Sequence, residues 1–175
     1  GHSMGAKVAM RFAQLHPDAV WKLVVVDMSP REYPPRFHAL LEAMHALDVS
    51  GFKRRDEVDL ILQEVVPDRA VRRFLLKNLG RDGAGRLFWK PNLASIRSNY
   101  GKVRDALPGR TGFDGPTLFV RGGLSDYVRD EDLPAIQVLF PRAIVETIAG
   151  AGHWVHADHP ERFTELVIQF FLAET

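Results

Sequence analysis

Gly1-His2-Ser3-Met4-Gly5 opens the chain, fits G-x-S-x-G, and stands directly before a helical run. A serine hydroxyl is a weak nucleophile until a neighbouring base activates it. A very sharp strand-to-helix turn presents it clear of the backbone. Glycines two residues either side would let neighbouring chain approach that turn without a Cβ clash. The helix that follows aims N–H groups and its positive dipole end at a reacting oxygen. Met4, next after the serine, would supply one backbone N–H to an oxyanion hole. Chance and a cloning remnant are the competing readings of five residues. Neither accounts for a fitting helix from Gly5 to Leu15 together with suitable partners downstream.

Those partners are a histidine and an aspartate. His153 follows a β-type run through Gly150-Ala151-Gly152, where a neutral imidazole could take the serine proton and return it to a leaving group. A structural histidine is the competing reading in a chain with seven. His153, His156 and His159 recur every third residue, a spacing that raises the question of a metal. No clustered carboxylates or cysteines accompany them, and His159 precedes Pro160, so a base is the better reading. Two aspartates, Asp27 and Asp126, each follow a strand and precede the histidine in the order Ser, Asp, His. Either could orient the imidazole, and either could instead cap a loop or helix. Spacing alone leaves both open.

The elements that must hold these residues alternate. Val8, Ala9, Phe12 and Ala13 have helical spacing, and His16-Pro17-Asp18 ends that helix. Leu23-Val24-Val25-Val26 reads as a strand buried on both faces. After Pro34 the character changes. Helices are predicted around Phe37 to Met44, Val58 to Val65, Val71 to Leu75 and Asn92 to Asn99, with a glycine-rich break from Gly80 to Gly85 and no strong strand. Alternation resumes with a strand at Thr117 to Val120, a helix from Glu131 to Leu139, a strand at Ala143 to Ile148, and a last helix from Pro160. This order predicts an α/β chain with a parallel sheet. Its divisions are 1–33 (core), 34–105 (helical insertion) and 106–175 (core). Three strands flanked by helices are a poor core alone, so further strands are expected upstream of Gly1.

Composition narrows the chemistry. The chain has 175 residues, 23 basic and 22 acidic side chains, net charge +1, and no cysteine. Disulfides, thiolate metal sites and a cysteine nucleophile are excluded. Near-neutral charge gives no reason to expect a nucleic-acid partner, and no apolar run approaches the roughly 20 residues of a membrane span, so no membrane partner is expected either. The clusters Lys53-Arg54-Arg55 and Arg72-Arg73 read as solvated helix faces. A cysteine-free chain is compatible with the cytoplasm, the location expected.

With these residues in place, the chain resembles the α/β-hydrolase superfamily and, more narrowly, the YbfF-type esterases. The likeness runs over essentially the whole chain. Gly1 to Pro17 resembles the nucleophile elbow and its helix. Val26-Asp27-Met28-Ser29-Pro30 with Tyr33 resembles that group's segment after the sixth strand. Gly122-Gly123-Leu124-Ser125 with Tyr127-Val128 resembles the segment after the seventh, and Ala149 to His156 the histidine loop. Most of the superfamily carries its acid after strand seven. The resemblance to the narrower group implies Asp27 as acid and Ser125 as an accessory residue contacting the histidine, with Asp126 the alternative acid. It further implies that strands one to five and the second oxyanion donor precede Gly1, as upstream sequence or a companion fragment. The chain would then be the C-terminal part of an α/β-hydrolase sheet with a helical cap insertion.

The activity so implied is hydrolysis of small carboxylic esters, or of thioesters, through an acyl-enzyme. Ser3 attacks, His153 shuttles the proton, Asp27 orients His153, and the Met4 N–H holds the oxyanion. The insertion would shape the acyl pocket, with Phe37, Leu40, Met44, Phe74, Phe88 and Trp89 as candidate lining. The chemistry requires neither metal nor organic cofactor. C–C bond hydrolysis and perhydrolysis would use the same triad. A binding module on a hydrolase fold is the rival of a different class.

Overall fold

The computed structural model describes residues 1–109 and 111–173; Arg110, Glu174 and Thr175 lie outside the described residues. Two compact units result: a core of Gly1–Tyr33 with the chain from Asp105 onward, and an insert, Pro34–Arg104.

The core begins with helix α1 (Met4–Leu15), which Pro17 follows, and strand β1 (Leu23–Val26). Within the insert lie α2 (His38–Ala46), α3 (Arg55–Leu62), α4 (Arg69–Leu76), β2 (Leu79–Arg81), β3 (Leu87–Trp89) and α5 (Leu93–Arg104). The core then resumes with β4 (Thr117–Gly122), α6 (Leu133–Leu139), β5 (Ala143–Ile148), a short α7 (Val155–Asp158) and α8 (Pro160–Leu172). Strands β1, β4 and β5 form one parallel sheet in that order. Parallel neighbours need long crossovers, which α6 supplies between β4 and β5.

The sheet is covered on both faces, as its unbroken apolar strands require. Side chains alternate along a strand, so Val25 and Phe119 join Ala6, Met10, Ile136 and Phe140 on one side. Val26, Leu118 and Val120 join Ile148, Val155 and Leu166 on the other. The buried stripe of α1 is Ala6, Met10 and Ala13, whereas Val8 and Phe12 are exposed. Helical spacing had grouped both with Ala9 and Ala13; the side of the helix that carries Ala6, Met10 and Ala13 is the one packed in the core. Pro134, at an early position of α6, is accommodated because a 3₁₀ turn at Asp130–Asp132 leads into that helix.

The insert corrects the expectation of an all-helical segment. Its glycine-rich stretch is an antiparallel hairpin, with Leu79 opposite Trp89 and Arg81 opposite Leu87. Asp82 closes it, accepting the N–H groups of Ala84 and Arg86 at 2.9 Å each. Strands of three residues are too short to show alternation, and the glycines masked the rest. The Phe88 ring lies where a Cβ on Gly80 would stand, which explains that glycine. Helix α5 runs past Asn99 to Arg104, through Gly101. Met44, Val58, Leu62, Leu79 and Leu87 form the insert's own core.

Candidate active site

Ser3 sits immediately before α1 with φ 53° and ψ −124°, in sparsely populated backbone space. Such a conformation costs of order 1–3 kcal/mol and persists only where surroundings enforce it. They do so here through β1. The Val26 N–H donates to the Gly1 carbonyl at 2.8 Å, and the Ser3 N–H donates to the Val26 carbonyl at 3.1 Å. His2 pairs in parallel with Val26 at the same point. A Cβ on Gly1 would stand 2.3 Å from the Gly5 carbonyl oxygen, so the turn excludes any larger residue there. Gly5 is different. A Cβ there meets nothing among the described residues, so the symmetrical role expected of the two glycines holds for Gly1 alone.

Behind Met4, the amides of Gly5, Ala6 and Lys7 are taken by the carbonyls of His2 and Ser3. The Met4 N–H has no acceptor among the described residues, at the first position of α1. It is a free donor at the positive end of a helix, next to the serine.

The chain continues from Val26 into Asp27, the second non-glycine residue with positive φ, at 46°. Aspartate tolerates this left-handed region better than most residues. The consequence is that its carboxylate turns into the core and is fully buried. A buried carboxylate must be paired and hydrogen-bonded. Oδ1 accepts the Gly122 N–H at 3.1 Å. Oδ2 accepts the Ser125 hydroxyl and lies 2.7 Å from His153 Nδ1. An ionised carboxylate only accepts, so Nδ1 carries the proton and Nε2 is left as the basic nitrogen. No hydrogen bond joins Ser3 Oγ to His153 among the described residues. Such contacts are often loose before a substrate arrives.

Two backbone features bring the histidine loop this close. A Cβ on Gly122 would lie 2.2 Å from the Gly152 carbonyl oxygen, so only glycine at the end of β4 lets the loop pass. The Leu124 N–H then donates to the Ala151 carbonyl at 2.9 Å. His2, beside the nucleophile, has Nε2 2.8 Å from the His153 carbonyl oxygen and donates to it, with its ring against those of His153, Trp154 and His156. Burial pushes the His2 pKa down, the neighbouring histidines adding to that effect while the His153 carbonyl and Asp27 oppose it.

Tyr127 is a residue that sequence reasoning passed over. Its ring stacks on His153, centroids 3.9 Å apart and planes 18° from parallel. It is held from behind: the Tyr33 hydroxyl donates to the Tyr127 carbonyl at 2.6 Å and accepts the Ser29 N–H at 2.7 Å. Burial raises the Tyr33 pKa to about 12, which keeps it a neutral donor. A tyrosine two residues beyond Ser125 was visible, but nothing in its spacing signals stacking.

The other named residues fall as follows. Ser125 meets Asp27, not the histidine ring, because the turn closed by its N–H onto the Gly122 carbonyl places its hydroxyl at the carboxylate. Asp126 is exposed and pairs with Arg129 at 3.6 Å. His156 packs near Phe163, and no group of three potential ligands that could hold a metal occurs among the described residues. Within the insert, Met44 is buried in the core, with Leu40 and Trp89 packed against it. Phe37, Phe74 and Phe88 are exposed.

The model of the alpha/beta hydrolase family matches residues 1–166. The sn-1-specific diacylglycerol lipase ABHD11 of Mus musculus is 41% identical over 97% of this chain and 57% of its own length. Esterase YbfF of Escherichia coli is 34% identical over 92% of this chain and 61% of its own. Among solved structures, a marine microorganism esterase superposes with a TM-score of 0.92 at 39% identity, over 97% of this chain and 68% of that one. The chain thus spans less than two thirds of either curated relative.

Proposed function

The chain belongs to the α/β-hydrolase family, and from that premise we propose that it carries the nucleophile and proton relay of a serine esterase acting on carboxylic esters. One observation supports this above the rest. Asp27, buried and held by Gly122 and Ser125, grips His153 Nδ1, while the residue before it pins the Ser3 amide. Relatives named as esterases and as a diacylglycerol lipase point to the same class of bond.

The steps follow from the geometry. Ser3 Oγ attacks the ester carbonyl carbon while its proton passes to His153 Nε2. Asp27 stabilises the resulting imidazolium, and Tyr127 covers its face. The Met4 N–H stabilises the oxyanion. As the carbonyl reforms, the alcohol departs with the proton from Nε2, leaving the acyl group on Ser3. Water, deprotonated by the same nitrogen, then releases the acid and restores Ser3.

A second oxyanion donor is expected from the rest of the fold, whether upstream sequence or companion fragment. An apolar stripe of Met4, Val8, Phe12 and Leu15 lies exposed on α1, as a surface made for such a neighbour would. The test is labelling of the whole polypeptide with a fluorophosphonate, read by peptide mass spectrometry. Label on Ser3, absent in Ser3→Ala, is expected. A folded sample that stays unlabelled, or hydrolysis that survives Ser3→Ala, sinks the proposal.

A further inference from the structure

The net charge of +1 conceals a division. Residues 34–104 carry 14 lysines and arginines against 8 aspartates and glutamates, and the remainder carries 9 against 14. Within the insert most of the acids are already committed. Glu42 pairs with Arg97, Asp56 with Arg54, Asp59 with Arg72 and Asp82 with Arg86. Asp68 caps α4 through the N–H groups of Ala70 and Val71, Asp48 accepts the Ser50 N–H, and Glu57 accepts the N–H groups of Lys53 and Arg54.

The basic excess is concentrated on α4. Arg72 faces inward to Asp59 and to the Val66 and Pro67 carbonyls. Arg69, Arg73 and Lys77 stand at i, i+4 and i+8, one exposed stripe along the other side. None of these three side chains has an acidic partner among the described residues. Phe74 lies among them, 46% exposed. With Ala70 they line an open depression of about 720 Å³.

We propose that this face of α4 docks the protein on an anionic phospholipid surface. Arg69, Arg73 and Lys77 meet headgroup phosphates, and Phe74 enters the acyl boundary. Cations surrounding an exposed aromatic ring are what the interface of an anionic bilayer rewards on both counts. A soluble anion would use the charges and gain nothing from the phenyl ring. The contact is peripheral: no helix among the described residues is long and apolar enough to cross a membrane. It revises the expectation that no membrane is a partner. It does not depend on the triad, so binding and turnover fail separately.

The experiment is co-sedimentation of the whole polypeptide with two kinds of vesicle: phosphatidylcholine alone, and equal parts of phosphatidylcholine and phosphatidylserine. Binding to the mixed vesicles, weakened by salt, is expected. Each of Arg69→Gln, Arg73→Gln and Lys77→Gln should weaken it roughly fivefold, and the triple variant about a hundredfold. Phe74→Ser should weaken it with the salt dependence retained. Lys102→Gln, which removes one charge from α5 instead, should change it less than twofold. Equal loss in Lys102→Gln would reduce the effect to net charge and overturn the assignment of the face. So would absence of binding to the mixed vesicles, the outcome if an acidic protein or another part of the polypeptide covers α4.

Discussion

The core and the insert are built to different standards. In the core, Ser3 and Asp27 hold positive φ, and a buried carboxylate takes three donors on two oxygens. Among the described residues of the insert no side-chain-bearing residue has positive φ, and its ion pairs, Arg72–Asp59 apart, stand largely at the surface. Strained backbone and buried charge are costly, and they persist where surroundings over-determine them. The contrast says that the core is organised around holding a few polar atoms in place. The insert is organised around packing and the sign of its surface charge.

The sharpest test of how the core holds its polar atoms is to neutralise, one at a time, the two core aspartates between which spacing was undecided. Asp27→Asn keeps the shape but offers His153 an amide, which disturbs the tautomer that leaves Nε2 basic. Turnover of an activated ester should fall about 10⁴-fold, as in the well-studied triad. Asp126→Asn weakens an exposed pairing with Arg129 and leaves the Asp27–His153 contact in place, so turnover should stay within twofold. Steady-state kinetics on both variants decide. A larger loss in Asp126→Asn would mean that the carboxylate at Asp27 is structural.

Stability should divide along the same line. Arg72 is the insert's nearest counterpart to the core network, nearly buried and bonded to Asp59 and two carbonyls. Arg72→Met should cost about 2 kcal/mol, since Asp59 remains partly solvated and is not stranded outright. Urea unfolding would show it, with fluorophosphonate labelling of Ser3 in the folded protein unchanged. In the core, Tyr33→Phe strands the Tyr127 carbonyl and the Ser29 N–H. It should cost about 1.5 kcal/mol by the same measurement. Unlike the insert variant, it should also slow labelling of Ser3, because Tyr127 no longer has its support behind His153. Equal labelling in Tyr33→Phe and in the parent would show that the stack does not depend on that hydrogen bond.

What was legible in the sequence follows from this division. The serine turn, the strand ends and the histidine loop were readable because each requires particular residues at particular offsets: Gly1 against the Gly5 carbonyl, Gly122 against the Gly152 carbonyl, and Pro17 after α1. The choice between Asp27 and Asp126 was not readable from spacing, since both follow strands. It depended on the left-handed turn at Asp27, which no short pattern announces. Tyr127 was missed because stacking arises between loops 26 residues apart. The hairpin at Leu79–Trp89 was missed because three-residue strands carry no period. Helical spacing alone did not say which side of α1 is buried, because that helix is apolar on more than one side.

The smallest expected effect tests whether His2 belongs to the strained network or merely borders it. Its ring is partly buried against His153, Trp154 and His156, and burial holds its pKa below the ordinary 6.5. The unfolded chain therefore binds this proton at higher pH than the folded one. Between the depressed value and about 6.5 the unfolded state holds more protons, so stability rises with pH across that window. The contribution is present above about 6.5 and is lost as pH falls through the folded value. His2→Gln keeps an N–H donor near the His153 carbonyl but cannot titrate. Relative to the parent, its urea midpoint should fall less between pH 7 and pH 5. Parallel curves for the two proteins would mean that His2 is as free to protonate when folded as when unfolded. The elbow would then be held by β1 alone, without help from the histidine beside it.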